Sequence, residues 1–126
     1  MTDEQFYEIA DAEIEKYLTL LEKVPDDVLA QGGDATLAWL DENSGRRVQA
    51  MGLITCTGLI LAAVGGALIP ASKVVKVAKI VKKYGVKRVI NAIKGVRKGK
   101  GNTLSRDLKD IALIFLGVDQ IKEACT

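Results

Sequence analysis

Two adjoining stretches decide the fold: MGLITCTGLILAAVGGALI at residues 51–69 and KVVKVAKIVKKYGVKRVINAIKG at residues 73–95. The first is the centre of a 25-residue segment, 48–72, that contains no charged residue. An α-helix needs about 20 apolar residues to cross the hydrocarbon core of a bilayer, so this segment is long enough. A helix buried in a soluble core can have the same length and composition. The segment therefore predicts either a membrane-inserting helix or a central core helix.

Small residues recur in this apolar segment at one-turn spacing. Gly58, Ala62 and Gly66 lie four residues apart, so they share one face of a helix. Small side chains let two helix backbones approach closely, and such packing drives helix association in lipid. The pattern predicts helix packing at these three positions, either between copies of the chain or within a hairpin.

Charges are strongly segregated along the chain, although the net charge is only +2. Residues 1–50 hold twelve acidic and four basic residues, a net charge of −8, whereas residues 73–106 hold twelve basic residues and no acidic one. Lys and Arg beside an apolar segment gain roughly 1 kcal/mol each near an anionic lipid surface. The candidate residues for binding such a surface are Lys73, Lys76, Lys83, Lys87, Arg88 and Lys94.

Two other partners of the basic stretch, and one reading in which it has no partner, compete with an anionic membrane. Nucleic acid is not favoured, because the residues between the cations are mostly Val, Ile and Ala, and Tyr84 is the only aromatic residue among them. The acidic N-terminal arm of the same chain is a second partner, since opposite charges within one fold can neutralise each other. An ordinary solvated helix face in a soluble bundle is the third alternative.

The residue types exclude several kinds of chemistry. The chain has no histidine, so we expect no Ser-His or Cys-His catalytic pair, no metal site and no cofactor, and the protein is not predicted to be an enzyme. Cys56 and Cys125 can form a disulfide if the protein is exported, or remain two unpaired thiols in the cytosol. The N-terminus MTDEQF is acidic and lacks the basic region of a secretory signal peptide, so export would need another route.

Hydrophobic periodicity predicts an all-α protein, a small bundle of about five helices that includes the Gly- and Ala-rich helix and a basic amphipathic helix. Thr2 or Asp3 would cap the first helix, and Pro25 would end it. The predicted helices span 3–24, 35–42 and the charge-free segment, with a short helical turn at 28–30. A basic helix capped by Ser72, with a weak point at Gly85, and a last helix capped by Ser105 or Thr103 follow. Residues 95–102 are predicted to form a flexible basic loop.

The order of these segments resembles that of bacteriocin precursors with double-glycine leaders. The matching residues are DDVLAQGG at positions 26–33, which end in Gly32 and Gly33, and the basic stretch after the apolar segment is similar to glycine-zipper membrane-active toxins. The resemblance implies processing after Gly33, which would separate an acidic leader-like or shielding segment, 1–33, from a hydrophobic and cationic membrane-active domain, 34–126. It also implies export by a peptidase-transporter and permeabilisation of the target membrane.

We therefore expect a secreted or membrane-associated, bacteriocin-like or pore-forming toxin that binds anionic lipid and self-associates. The hydrophobic segment would need a shielding partner, either within the chain or in a chaperone or immunity protein. One alternative is a soluble helical interaction protein of the cytoplasm, such as an immunity or adaptor protein, in which the acidic arm packs on the basic helix. A small resident membrane protein such as a holin is the other alternative.

Overall fold

The structure, a computed structural model, describes residues 2–44, 60 and 69–122. Within these ranges the chain forms helices and no strand, which confirms the predicted all-α bundle. The α-helices are α1 (Asp3–Glu22), α2 (Asp26–Ala30), α3 (Gly33–Asn43), α4 (Ala71–Tyr84), α5 (Val86–Arg97) and α6 (Arg106–Phe115), and two 3₁₀-helices occupy Gly101–Thr103 and Leu116–Ile121.

The N-terminus of α1 is fixed by a reciprocal cap. The Gln5 backbone N–H donates to the Thr2 hydroxyl at 3.2 Å, and the Thr2 backbone N–H donates to the Gln5 side-chain oxygen at 2.9 Å. These two bonds satisfy donors that the first helical turn leaves without backbone partners. Of the two predicted caps, Thr2 is therefore the one used, and the helix ends at Glu22, shortly before Pro25.

A glycine pair sets the junction between α2 and α3. Gly32 has φ +103° and ψ −176°, a backbone region that only glycine adopts without strain. At Gly33, a Cβ atom would overlap the backbone carbonyl of Ala71, so α3 and α4 approach closely at this point. The predicted break at the pair is confirmed, although α3 begins at Gly33 rather than two residues later.

The basic stretch forms two helices rather than one continuous helix. Gly85, with φ +89° and ψ 152°, ends α4 and precedes α5. The prediction that Ser72 caps the basic helix is wrong, because Pro70 holds the extended N-cap conformation and Ser72 lies exposed in the first turn. The predicted loop at 95–102 is also wrong in part, since α5 continues through Arg97 and a 3₁₀-helix begins at Gly101.

The core lies between α1, α4, α5 and α6. Helix α1 packs against α4 and α5, α3 packs against α4, and α6 packs against α5 and α4. Apolar side chains from all of these helices are buried together, and the largest fully buried ones are Phe6, Ile14, Leu18, Leu21, Val24, Ile60, Ile69, Val74, Val77, Ile93, Ile111 and Phe115. Ile60 and Ile69, both from the charge-free segment, belong to this core.

Candidate functional site

The two basic helices turn their apolar residues inward and their cations outward. Val74, Val77 and Val81 of α4 are buried, and the valine and isoleucine residues of the middle of α5 are buried as well. The six predicted surface-binding residues, Lys73, Lys76, Lys83, Lys87, Arg88 and Lys94, are all exposed. We call these six residues together with Lys79, which is exposed beside them on α4, the basic surface.

Tyr84 joins the α4 and α5 parts of the basic surface. The Lys83 ammonium lies 5.3 Å and the Arg88 guanidinium 5.4 Å from the centroid of its ring. Both cations are therefore attracted to the π system of one aromatic side chain. Lys87 and Lys94 are two turns apart and share one face of α5, where no described contact links them to the α4 lysines.

Acidic side chains neutralise little of the basic surface. Lys76 forms a salt bridge with Asp110 of α6 at 3.8 Å, and both side chains are exposed. Among the described residues, the other six members of the basic surface form no salt bridge with a carboxylate. Isolated exposed pairs contribute only about 0–1 kcal/mol, so the basic surface keeps nearly all of its positive charge.

Two cations of residues 73–106 pair with the acidic N-terminal arm: Lys82 forms a salt bridge with Asp26 of α2 at 3.5 Å, and Arg97 turns towards the acidic helix α1. Its two terminal nitrogens donate to the two carboxylate oxygens of Asp11 at 2.9 and 3.0 Å. The guanidinium also lies 4.0 Å from the centroid of the Tyr7 ring. Composition alone could not separate Arg97 from its exposed neighbours, since the difference depends on how α5 faces α1.

A second polar contact near Arg97 connects α1 to the C-terminal 3₁₀-helix. The Tyr7 hydroxyl donates to Asp119 at 2.9 Å, and Lys122 lies close to both Tyr7 and Asp3. Burial raises the pKa of Tyr7 above its usual 10.0, and the hydrogen bond to Asp119 raises it further. Interaction with the Tyr7 hydroxyl is the main cause that raises the pKa of Lys122 above 10.5.

An apolar groove lies beside the basic surface, between α4 and α6. It has a volume of about 520 Å³ and is lined by Lys73, Lys76, Val77, Ile80, Asp110, Ile111, Leu113 and Ile114. Leu113 is 54% exposed and is the one large apolar side chain of the described part that is exposed. Residues 111–118 are apolar nearly all round, and a helix in a small bundle cannot bury every face, so the sequence indicates that part of this helix stays uncovered but not which residue.

Several predicted site residues lie outside the described residues. These are the helix-packing residues Gly58, Ala62 and Gly66 and the disulfide candidates Cys56 and Cys125. The predicted processing residues Gly32 and Gly33 lie at the α2–α3 junction, where both are partly buried. Among the described residues, no helix is both long and apolar enough to cross a membrane, and no group of three acidic, Cys or His side chains could hold a metal ion.

Comparison of the chain with protein-family models, with curated proteins and with solved structures finds no match. The function must therefore be inferred from the basic surface and the groove beside it.

Proposed function

We propose that the protein is a membrane-active, bacteriocin-like toxin that binds anionic membranes through the basic surface and permeabilises them. The observation that carries this proposal is the near absence of charge compensation on that surface, where six of the seven cations have no carboxylate partner among the described residues. Each cation near an anionic leaflet gains roughly 1 kcal/mol, so several acting together give stable association.

Permeabilisation would follow from insertion of residues 51–69 after the surface has bound. This segment is apolar, directly precedes α4 in sequence and contains the small-residue positions Gly58, Ala62 and Gly66. Close packing of helices at those positions would then favour association of several copies in the bilayer. Ile60 and Ile69, the two residues of this segment that the structure describes, are buried in the core of the bundle.

Binding to vesicles tests the first step. We expect the full chain to bind phosphatidylglycerol vesicles and to bind phosphatidylcholine vesicles weakly, and high salt should remove the difference because it screens exposed charges. The double variant Lys87→Gln, Lys94→Gln should lose roughly 30-fold in affinity, at about 1 kcal/mol per cation. Lys16→Gln, Lys23→Gln is a matched control, since it removes the same charge from α1 and should change affinity less than about threefold.

Dye release tests the second step. Leakage from phosphatidylglycerol vesicles should accompany binding of the full chain or of the 34–126 fragment. If neither species releases dye, the toxin proposal fails even where binding is observed. If the two lysine double variants bind equally well, the assignment to the basic surface fails.

A soluble helical interaction protein is a second candidate, favoured by the packing of α1. The acidic helix lies against both basic helices, its apolar face is buried in the shared core, and Asp11 pairs with Arg97. This arrangement suits a protein whose 1–33 segment stays in place. A monomer that remains in solution without detergent and does not bind anionic vesicles would support this candidate over the first.

A further inference from the structure

The groove between α4 and α6 has the volume of a small-molecule site. Its volume of about 520 Å³ falls within the roughly 300–1,000 Å³ that ligand pockets usually occupy. The size therefore favours a slender occupant such as one hydrocarbon chain.

The base of the groove is apolar and buried, whereas its opening is exposed to solvent. Val77 and Ile80 of α4 and Ile111 of α6 are buried at 2%, 6% and 0% exposure, and they line it together with Ile114. Leu113 stands at the opening, where it is mainly exposed. An apolar chain laid along this groove would cover Leu113 and remove that surface from water, which is favourable.

The α4 edge of the groove is cationic along its length. Lys73 and Lys76 line the groove itself, and a neighbouring cavity of about 530 Å³ continues along α4 past Lys79 and Lys83 and shares Lys76 and Ile80 with the first. The opposite, α6 edge carries the acidic residues Asp110 and Asp107, and Asp110 is engaged with Lys76. The two cavities together are lined by four lysines and two carboxylates, so the α4 edge keeps a net positive charge that would attract an anionic headgroup.

We propose that this groove and the cavity that adjoins it bind one anionic phospholipid, with its phosphate between Lys73 of the groove and Lys79 of the adjoining cavity and an acyl chain over Ile80, Ile114 and Leu113. The inference rests on the proposed membrane function and deepens it, because it gives the basic surface a defined lipid site. A bound phospholipid also accounts for two features of the groove together, the exposed Leu113 on α6 and the lysines on the α4 side. Adsorption by charge alone would use the lysines but not the leucine.

Calorimetric titration of the full chain with monomeric lysophosphatidylglycerol, below its micelle concentration, tests the site. We expect saturable one-to-one binding, with an affinity that rises roughly tenfold when the acyl chain is two methylenes longer. Lysophosphatidylcholine of the same chain length should bind at least about tenfold more weakly, since it carries no net charge for the lysines to attract.

Two variants and one control locate the binding. Lys73→Gln, Lys79→Gln should weaken lysophosphatidylglycerol binding about tenfold or more and leave lysophosphatidylcholine unchanged. Leu113→Asn should weaken both ligands, and its exposed position lets the thermal unfolding transition remain that of the wild type. Lys16→Gln, Lys23→Gln removes the same charge from outside the basic surface and the groove and should change binding less than about twofold.

The outcomes separate this proposal from the proposed function. If the wild type binds phosphatidylglycerol vesicles but shows no saturable binding of the monomeric lipid, the groove site is overturned and the membrane function stands. If it binds the monomeric lipid but no vesicles, the groove site stands and the membrane function is overturned. The groove proposal also fails if the two lysine double variants lose affinity equally, or if an acidic amphipathic peptide saturates the groove and the lipid does not.

Discussion

The Asp11–Arg97 pair is the main polar contact between the acidic helix and the basic half of the molecule, so its removal should loosen α1. Arg97 is 14% exposed and Asp11 is 16% exposed, and two hydrogen bonds of 2.9 and 3.0 Å join them. The Arg97 Nε atom is already buried without a partner in the described part. Asp11→Asn would remove the charge that compensates this guanidinium while it keeps nearly the same side-chain shape.

The expected cost follows from how far the pair is buried. Rupture of a fully buried ion pair costs about 3–5 kcal/mol, whereas exposed pairs contribute at most about 1 kcal/mol. This pair retains some solvent access, and the asparagine amide still offers one oxygen acceptor, so we expect a loss of about 2 kcal/mol. For a chain of this length that corresponds to a fall in Tm of roughly 8 °C.

Urea unfolding followed by circular dichroism measures this loss, with Glu13→Gln as the control. Glu13 sits on the same helix and is 15% exposed, but its partner Lys16 is 74% exposed and only one bond of 3.2 Å joins them. The control variant should lose no more than about 1 kcal/mol. Equal losses in the two variants would refute the conclusion that the buried bidentate pair holds α1 in place.

The remaining predictions concern the backbone break and the alkaline limit of stability. Gly85→Ala should lower the free energy of unfolding by about 1–3 kcal/mol, because φ +89° with ψ 152° is a backbone region that favours glycine. Gly95→Ala, within α5, should instead raise the free energy of unfolding by about 0.5–1 kcal/mol, since its Cβ would meet only the Lys100 carbonyl at 3.8 Å. Urea unfolding of the two variants measures these changes, and a change of the same sign in both variants would contradict the prediction. The raised pKa values of Tyr7 and Lys122 mean that the folded state holds both protons more tightly, so the stability they contribute is present below about pH 10 and is lost as the pH rises through the folded-state values. The urea midpoint should decrease less between about pH 9 and about pH 11.5 in Tyr7→Phe than in the wild type. An equal decrease in both proteins would show that Tyr7 does not contribute to the alkaline loss of stability.

Local signals in the sequence predicted the parts of the fold that depend on neighbouring residues. The Thr2 cap of α1 and the Ser105 cap of α6 are both used, and the Ser105 hydroxyl accepts from the Leu108 backbone N–H at 3.3 Å. The exposure of the basic-surface lysines also follows from helical spacing alone, since valine and isoleucine occupy the opposite face. Such features need no knowledge of which helices pack together.

Features that depend on packing between helices could not be predicted in the same way. Arg97 looks like any other cation of its stretch until α5 is placed against Asp11. The exposure of Leu113 likewise depends on which face of α6 the neighbouring helices leave uncovered.

The packing of α1 changes what processing after Gly33 would mean for the proposed toxin. Phe6, Ile14, Leu18 and Leu21 are fully buried, and burial of one such side chain stabilises a fold by about 1.5–3 kcal/mol. Loss of all four would remove an amount comparable with the whole stability of a small domain, about 5–15 kcal/mol. We therefore expect the 34–126 fragment to lose its cooperative thermal transition in water and to regain helical circular dichroism on phosphatidylglycerol vesicles. Cleavage would then act as the step that releases the apolar faces of α4 and α5 from α1. A fragment that unfolds cooperatively in buffer, with the Tm of the full chain, would show that α1 does not shield those faces.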